Sequence, residues 1–195
     1  EQARFAWLLE RPEGADIGAL VNAAMRLVEQ HNSQLAGVLP KTYNLFTGTL
    51  LKQLLKKISE IPSTLEFDAF GRIYEYFLGA FAMSEGQGGG EFYTPSSIVA
   101  LLTEVIEPFH GRILDPACGS GGMFVQSDVF TKHSGRLSFI GQESKDFTYR
   151  LCRMNLFIHG IDGNIQLGSS YFNDLHADTK ADYVIANPPF NDGAK

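Results

Sequence analysis

Apolar residues along the first half of the chain recur with the period of an α-helix. Ile17, Leu20, Val21, Ala24, Leu27 and Val28 share one face, and Asp16 stands before them as an N-cap acceptor. Leu50, Leu51, Leu54, Leu55 and Ile58 repeat the pattern, with Lys52, Lys56 and Lys57 on the opposite side. A third stripe runs from Asp68 through Ile73, Tyr74, Phe77, Leu78 and Phe81, with Gly86 as its stop. Pro40 and Pro62 punctuate the three segments. The lysines read as a solvated helix face rather than a nucleic-acid grip, and the aromatics of the third helix as core.

Four of the five residues from Gly86 to Gly90 are glycine, a hinge that holds neither helix nor strand cheaply. Beyond it the texture changes. Thr94-Pro95 marks a helix start, Thr94 as cap and Pro95 in the first turn, followed by Ile98, Leu101, Leu102, Val105 and Ile106 on one face. Arg112–Asp115, Leu137–Gln142, Asn164–Leu167 and Tyr183–Ala186 then read as strands, with Met123–Lys132 and Lys145–His159 as helices between them. That alternation predicts a parallel sheet with helices on both faces. The expected organisation is a helical N-terminal domain over residues 1–85 and an α/β domain over 86–195.

Composition narrows the classes. Of 195 residues 44% are hydrophobic and 19% charged, an ordinary globular balance, and no apolar run approaches the ~18 residues of a membrane span. Two cysteines, Cys118 and Cys152, exclude a disulfide scaffold and fit a reducing cytoplasm; no Cys/His spacing suggests a metal cage. The chain opens on Glu1 rather than Met, and no charged-then-apolar-then-small-residue leader is visible in it. Residues 1–85 carry 8 basic and 10 acidic groups and residues 86–195 carry 8 and 12, giving −2 and −4 of the net −6. A chain this acidic that acts on DNA needs something else to supply much of the grip on phosphates.

Candidate chemistry gathers after the hinge. Asp115-Pro-Ala-Cys-Gly119-Ser120-Gly121-Gly122 follows the first strand and opens a helix, where glycines let the backbone approach a ligand. A dinucleotide site needs a third glycine where this chain has Phe124, so a pyrophosphate is disfavoured. Asp115 before the loop suits a cofactor with a cationic end, and Glu143 at the end of the second strand suits ribose hydroxyls. The two together describe S-adenosylmethionine. Cys118 reads as a small residue filling a tight loop, and Cys152 as helix core.

Asn187-Pro188-Pro189-Phe190 closes the fourth strand. Here the sequence resembles the amino-group methyltransferases that act on adenine N6, whose site carries an Asn/Asp-Pro-Pro-aromatic tetrapeptide. With Glu91-Phe92-Tyr93-Thr94-Pro95 before a helix, the Asp115–Gly122 loop, and Tyr74-Glu75-Tyr76-Phe77-Leu78 upstream, it looks most like the modification subunit of type I restriction–modification systems. The resemblance covers about residues 65–190. It implies a doubly wound, Rossmann-like methyltransferase domain, truncated here, since the chain stops five residues after Phe190 and about three more strands are expected. It implies that Asn187, Pro188, Pro189 and Phe190 handle a flipped adenine, and that Glu91, Phe92, Tyr93, Thr94, Pro95, Ser96, Asp115, Gly119, Ser120, Gly121 and Glu143 hold S-adenosylmethionine, without a metal. The implied partners are duplex DNA, a specificity subunit, a restriction subunit and a second methyltransferase subunit, in the cytoplasm. One position departs from the family pattern: Gly168-Ser169 stands where Gly-Asp is usual, so Ser169 or Asn173 is expected to replace the acidic contact to the cofactor's adenine. Two other readings are methylation of another planar nitrogen (a protein glutamine amide or an RNA amine) and a cofactor-binding subunit that carries partners. The retained Asn187 and its prolines count against the latter.

Overall fold

The computed structural model describes residues 3–12, 14–62, 67–84 and 93–189. The chain divides into two units, Glu1–Glu66 and Phe67–Lys195. In the first, α1 (Phe5–Leu9), α2 (Ile17–His31) and α3 (Gly48–Ser59) pack around Leu8, Ile17, Val21, Ala24, Leu51 and Leu55. Asp16 caps α2 as expected, its carboxylate accepting from the Ala19 N–H at 2.9 Å. Two short 3-10 turns, Ser33–Leu35 and Tyr43–Leu45, were not legible as periodic segments. The second is seated on α2 by Asn22, whose Oδ1 accepts from the Tyr43 N–H and whose Nδ2 donates to Asn44. The expected single apolar face of α3 is split. Leu51 and Leu55 are buried, while Leu50, Leu54 and Ile58 are exposed, because a two-helix contact covers a narrower stripe than the sequence offers.

The second unit begins with α4 (Phe67–Ser84), which packs against α7 (Asp146–Ile158). Between them in sequence come α5 (Ser96–Ile106), β1 (Gly111–Asp115), α6 (Gly122–Phe130) and β2 (Leu137–Glu143); β3 (Gly163–Leu167) and β4 (Tyr183–Val184) follow. The sheet is parallel with order β3-β2-β1-β4, as strand–helix alternation requires. Ile113 pairs with Phe139 and Tyr183, and Glu143 pairs with Leu167. All four strands therefore end on the same side, where the functional motifs lie. β4 is shorter than expected, although the Ile185 N–H still donates to the Leu114 carbonyl at 3.1 Å before the chain turns away.

The core of this unit unites Val99, Ile113, Met123, Phe124, Phe139, Leu156 and Ile165 with both cysteines, whose Sγ atoms lie 3.9 Å apart. Phe124 is fully buried and its ring meets Phe139 at 5.4 Å between centroids. It occupies the place where a dinucleotide loop has a glycine, and the close approach is transferred to the neighbouring strand. A Cβ on Gly141 would lie 3.0 Å from the Phe124 ring and from Ile165. Among the described residues no helix is long and apolar enough to cross a membrane.

Candidate active site

β1 delivers Asp115 to the sheet's C-terminal end, almost wholly buried at 1% exposure. Its Oδ1 accepts from the Ala117 N–H at 3.0 Å. Burial pushes this carboxyl up to about 7; the Ala117 bond opposes the rise and the charge of Glu143 adds to it. The following loop passes through the left-handed region at Gly119 (φ 54°) and Gly121 (φ 82°), which frees it to turn directly into α6. Its amides are largely engaged within the protein. Cys118 N–H donates to the Gln142 carbonyl, Gly121 N–H to the Cys118 carbonyl, and Gly119 N–H to Glu143 Oε2 at 3.1 Å. The loop thus brings backbone close to a ligand more than it offers bare donors.

Glu143, at the end of β2, also accepts at Oε1 from the Lys145 N–H at 2.8 Å and the Ser144 hydroxyl at 3.3 Å. It faces a cleft of about 170 Å³ with Thr148, Ser169, Tyr171, Pro188 and Pro189. Ser169 thus shares a cleft wall with Glu143. Asn173 does not line this cleft; its backbone carbonyl accepts from Gln142 Nε2 at 2.8 Å. Gln142 and His176 went unrecognised in the sequence. Buried Gln142 also accepts at Oε1 from the Leu175 N–H, and His176 Nε2 lies 2.9 Å from the Gly141 carbonyl. Together they clamp the segment 168–176 to β2 beside the cleft. A fully buried glutamine among apolar strand residues is the signal that marks such a clamp.

A narrower cleft, joined to the first through Ala117, is lined by Thr94, Asp115, Gly119, Ser120 and Asn187. Asn187 Nδ2 donates to Thr94 Oγ1 at 3.1 Å across 93 positions of sequence. This corrects the expected role of Thr94 as a helix cap. The N-cap of α5 is Pro95, its carbonyl accepting from the Ile98 and Val99 N–H groups, and no side chain caps the helix. Starting the helix one residue later leaves the Thr94 hydroxyl for Asn187. Tyr93 and Ser96 border a third small cleft with Ser120 and Asn155, and burial, reinforced by Glu75, raises the Tyr93 phenol.

The strand ends thus bring together Thr94, Asp115, Gly119, Ser120 and Glu143 with Asn187, Pro188 and Pro189. Pro95 lies outside these clefts, and Gly121 seats α6 close to α7, where a Cβ would meet Cys152 Sγ at 2.9 Å. Glu91, Phe92 and Phe190 fall outside the described residues, as does the glycine hinge. The Cys118 thiol is pushed well up by its contact with Cys152 and by burial, which suits the packing role expected of it rather than nucleophilic chemistry.

The profile of the N-6 DNA methylase family matches residues 65–195, the whole stretch that carries these strand ends. The chain belongs to that family. Over 98% of its length it is 41% identical to the MjaIX type I restriction enzyme methylase subunit of Methanocaldococcus jannaschii, covering 36% of that protein. The HindI methylase subunit of Haemophilus influenzae is 38% identical over 90% of the chain, which covers 44% of it. The chain thus spans less than half the length of these curated relatives. A solved type I methyltransferase subunit from Streptococcus thermophilus shares the fold at a TM-score of 0.81, with 22% identity, covering 96% of this chain and 44% of that one. The matched region contains the whole parallel sheet, and helices α1 to α3 stand outside it.

Proposed function

We propose that the chain is part of an adenine-N6 DNA methyltransferase that transfers a methyl group from S-adenosylmethionine to an adenine rotated out of its duplex. The observation that carries this reading is Asn187-Pro188-Pro189 leaving β4 beside the Asp115–Gly121 loop, with the Asn187 amide held at Thr94. The residues present fit the cofactor. Glu143, already polarised by three donors, faces the larger cleft, and buried Asp115 offers a carboxyl whose ionisation a cation would favour. Ser120 and Thr94 would border the amino-acid end and Ser169 the base. Bound there, S-adenosylmethionine supplies a methyl group on a positively charged sulfur.

The chain's own part is to prepare the nucleophile. An adenine amino nitrogen is a poor one, because its lone pair is delocalised into the ring. Oδ1 of Asn187 and the carbonyl of Pro188 accept its two N–H bonds and draw the nitrogen toward tetrahedral geometry, which returns the lone pair for attack. Prolines fix φ here and remove N–H groups that would compete for those acceptors. Phe190 provides a face on which the flipped base stacks. Because the chain is acidic, with a net charge of −6, sequence-selective grip on DNA is assigned to a specificity subunit. A restriction subunit and a second methyltransferase subunit complete the proposed cytoplasmic complex. The deciding experiment is Asn187→Ala in the assembled complex. S-adenosylmethionine affinity stays near normal, while single-turnover methyl transfer falls ~10²–10³-fold, as expected for a lost preorganised polar contact. Wild-type turnover in this variant refutes the mechanism.

A further inference from the structure

Resting on the reading of Asn187 as an acceptor for the target amino group, we propose that Thr94 is a positioning residue that sets which way the Asn187 amide faces. A primary amide has two orientations related by half a turn of its terminal torsion, and only one directs Oδ1 rather than Nδ2 at the base. Strand pairing ends at Ile185, so backbone hydrogen bonding to β1 does not reach Asn187, and its side chain is exposed. The contact that fixes it is the 3.1 Å bond from Nδ2 to Thr94 Oγ1. With Nδ2 held there, Oδ1 is the amide atom left to accept from substrate.

A hydroxyl both donates and accepts, so the direction of this bond depends on where the Thr94 hydrogen goes. Thr94 and Asn187 share their narrow cleft with Asp115, the one acidic residue among the described residues that line it. An acidic group on that side favours a hydroxyl hydrogen turned into the cleft and lone pairs turned toward Asn187. Thr94 is available for this because Pro95, not Thr94, begins α5. The segment 93–95 also borders the proposed cofactor site, so a purely cofactor-binding role predicts a different kinetic signature.

The test compares Thr94→Val, which keeps the shape but not the hydroxyl, with Thr94→Ser, which keeps the hydroxyl, in the assembled complex. Cofactor affinity is read by calorimetry, and the chemical step by single-turnover methyl transfer at saturating cofactor. Thr94→Val is expected to slow the chemical step about 10-fold at saturating cofactor, beyond whatever it changes in cofactor affinity, since a misaligned acceptor affects the reacting geometry. Thr94→Ser is expected to recover most of the rate. Thr94→Ala, smaller and also without a hydroxyl, reproduces the Val defect if the hydroxyl is what matters. The proposal is overturned by a full rate in Thr94→Val at saturating cofactor, by a loss that lies wholly in cofactor affinity, or by a Ser variant as slow as the Val variant. Failure of the underlying reading shows separately: Asn187→Ala would then keep wild-type turnover whatever Thr94 does.

Discussion

Lowering the pH from 7.5 to 6 should weaken S-adenosylmethionine binding through Asp115 alone. This carboxyl is raised from an ordinary 3.8 to about 7, chiefly by burial and further by Glu143. If the cationic end of the cofactor requires the ionised form, the apparent dissociation constant scales as one plus the ratio of protonated to ionised Asp115. With the midpoint near 7 that factor is about 11 at pH 6 and about 1.3 at pH 7.5, an approximately eight-fold loss of affinity. Binding at pH 7 should release about half a proton per cofactor, because half of the free sites are protonated. Calorimetry in two buffers of different ionisation enthalpy reads both quantities. Asp115→Asn should bind more weakly at pH 7.5, and the difference between its profile and the wild-type profile isolates Asp115 from titration of the cofactor's own amine. The stability sign is opposite. A carboxyl raised in the folded state costs nothing below pH 3.8 and costs progressively more as the pH rises toward 7, roughly 4 kcal/mol at the limit. Cofactor-free Asp115→Asn should therefore gain heat stability over wild type at pH 7.5 and lose that advantage near pH 4. An affinity independent of pH in the wild type, or one equally dependent on pH in Asp115→Asn, would refute the assignment.

Two further substitutions probe other parts of the same end of the sheet. Glu143→Ala should weaken S-adenosylmethionine binding by the ~1.5–3 kcal/mol of a hydrogen bond to a charged group, measured by calorimetry in the assembled complex; unchanged affinity would remove Glu143 from the ribose site. Gly141→Ala places a methyl 3.0 Å from the Phe124 ring and Ile165, which should cost about 1–3 kcal/mol by overpacking and lower the Tm by several degrees. Adding Phe124→Leu should recover part of the loss, and strict additivity of the two changes would argue that they do not compete for the same space.

Secondary structure was legible where one signal dominated. The parallel strands and the helices α2, α6 and α7 follow from apolar periodicity and from acceptors such as Asp16, and their ends fall within a residue or two of expectation where a single helical stripe or strand run defines them. Where two signals competed, tertiary contacts decided. Thr94-Pro95 offered a cap and a first turn, but the proline became the cap and the threonine turned toward Asn187. Phe124 in the place of a third glycine was read against a pyrophosphate, and nothing local showed that Gly141, one strand away, provides the close approach. Gln142 and His176 were missed for a similar reason. Their partners lie 33 and 35 residues away in sequence, and their role appears only when β2 and the segment after β3 are side by side.

The two acidic residues at the strand ends are unequal, and the inequality explains what the site can do. Glu143 has three donors, so its charge is well satisfied without a ligand. Asp115 is more deeply buried, accepts one hydrogen bond among the described residues, and feels the charge of Glu143. In the free protein Asp115 is therefore half protonated near pH 7. A neutral ligand would gain nothing from that arrangement. A cation relieves it by ionising Asp115, and the relief is available only when the positive group lies near the turn from β1 into α6. On the proposed reading, burying Asp115 without a basic partner among the described residues would favour S-adenosylmethionine over its demethylated counterpart, whose sulfur carries no charge. If the sulfonium rather than the amine is the group that Asp115 senses, the affinity ratio between S-adenosylmethionine and S-adenosylhomocysteine should rise from pH 6 to pH 7.5 and flatten in Asp115→Asn. A ratio that stays constant across that range in the wild type would assign Asp115 to the amine end, which both molecules share.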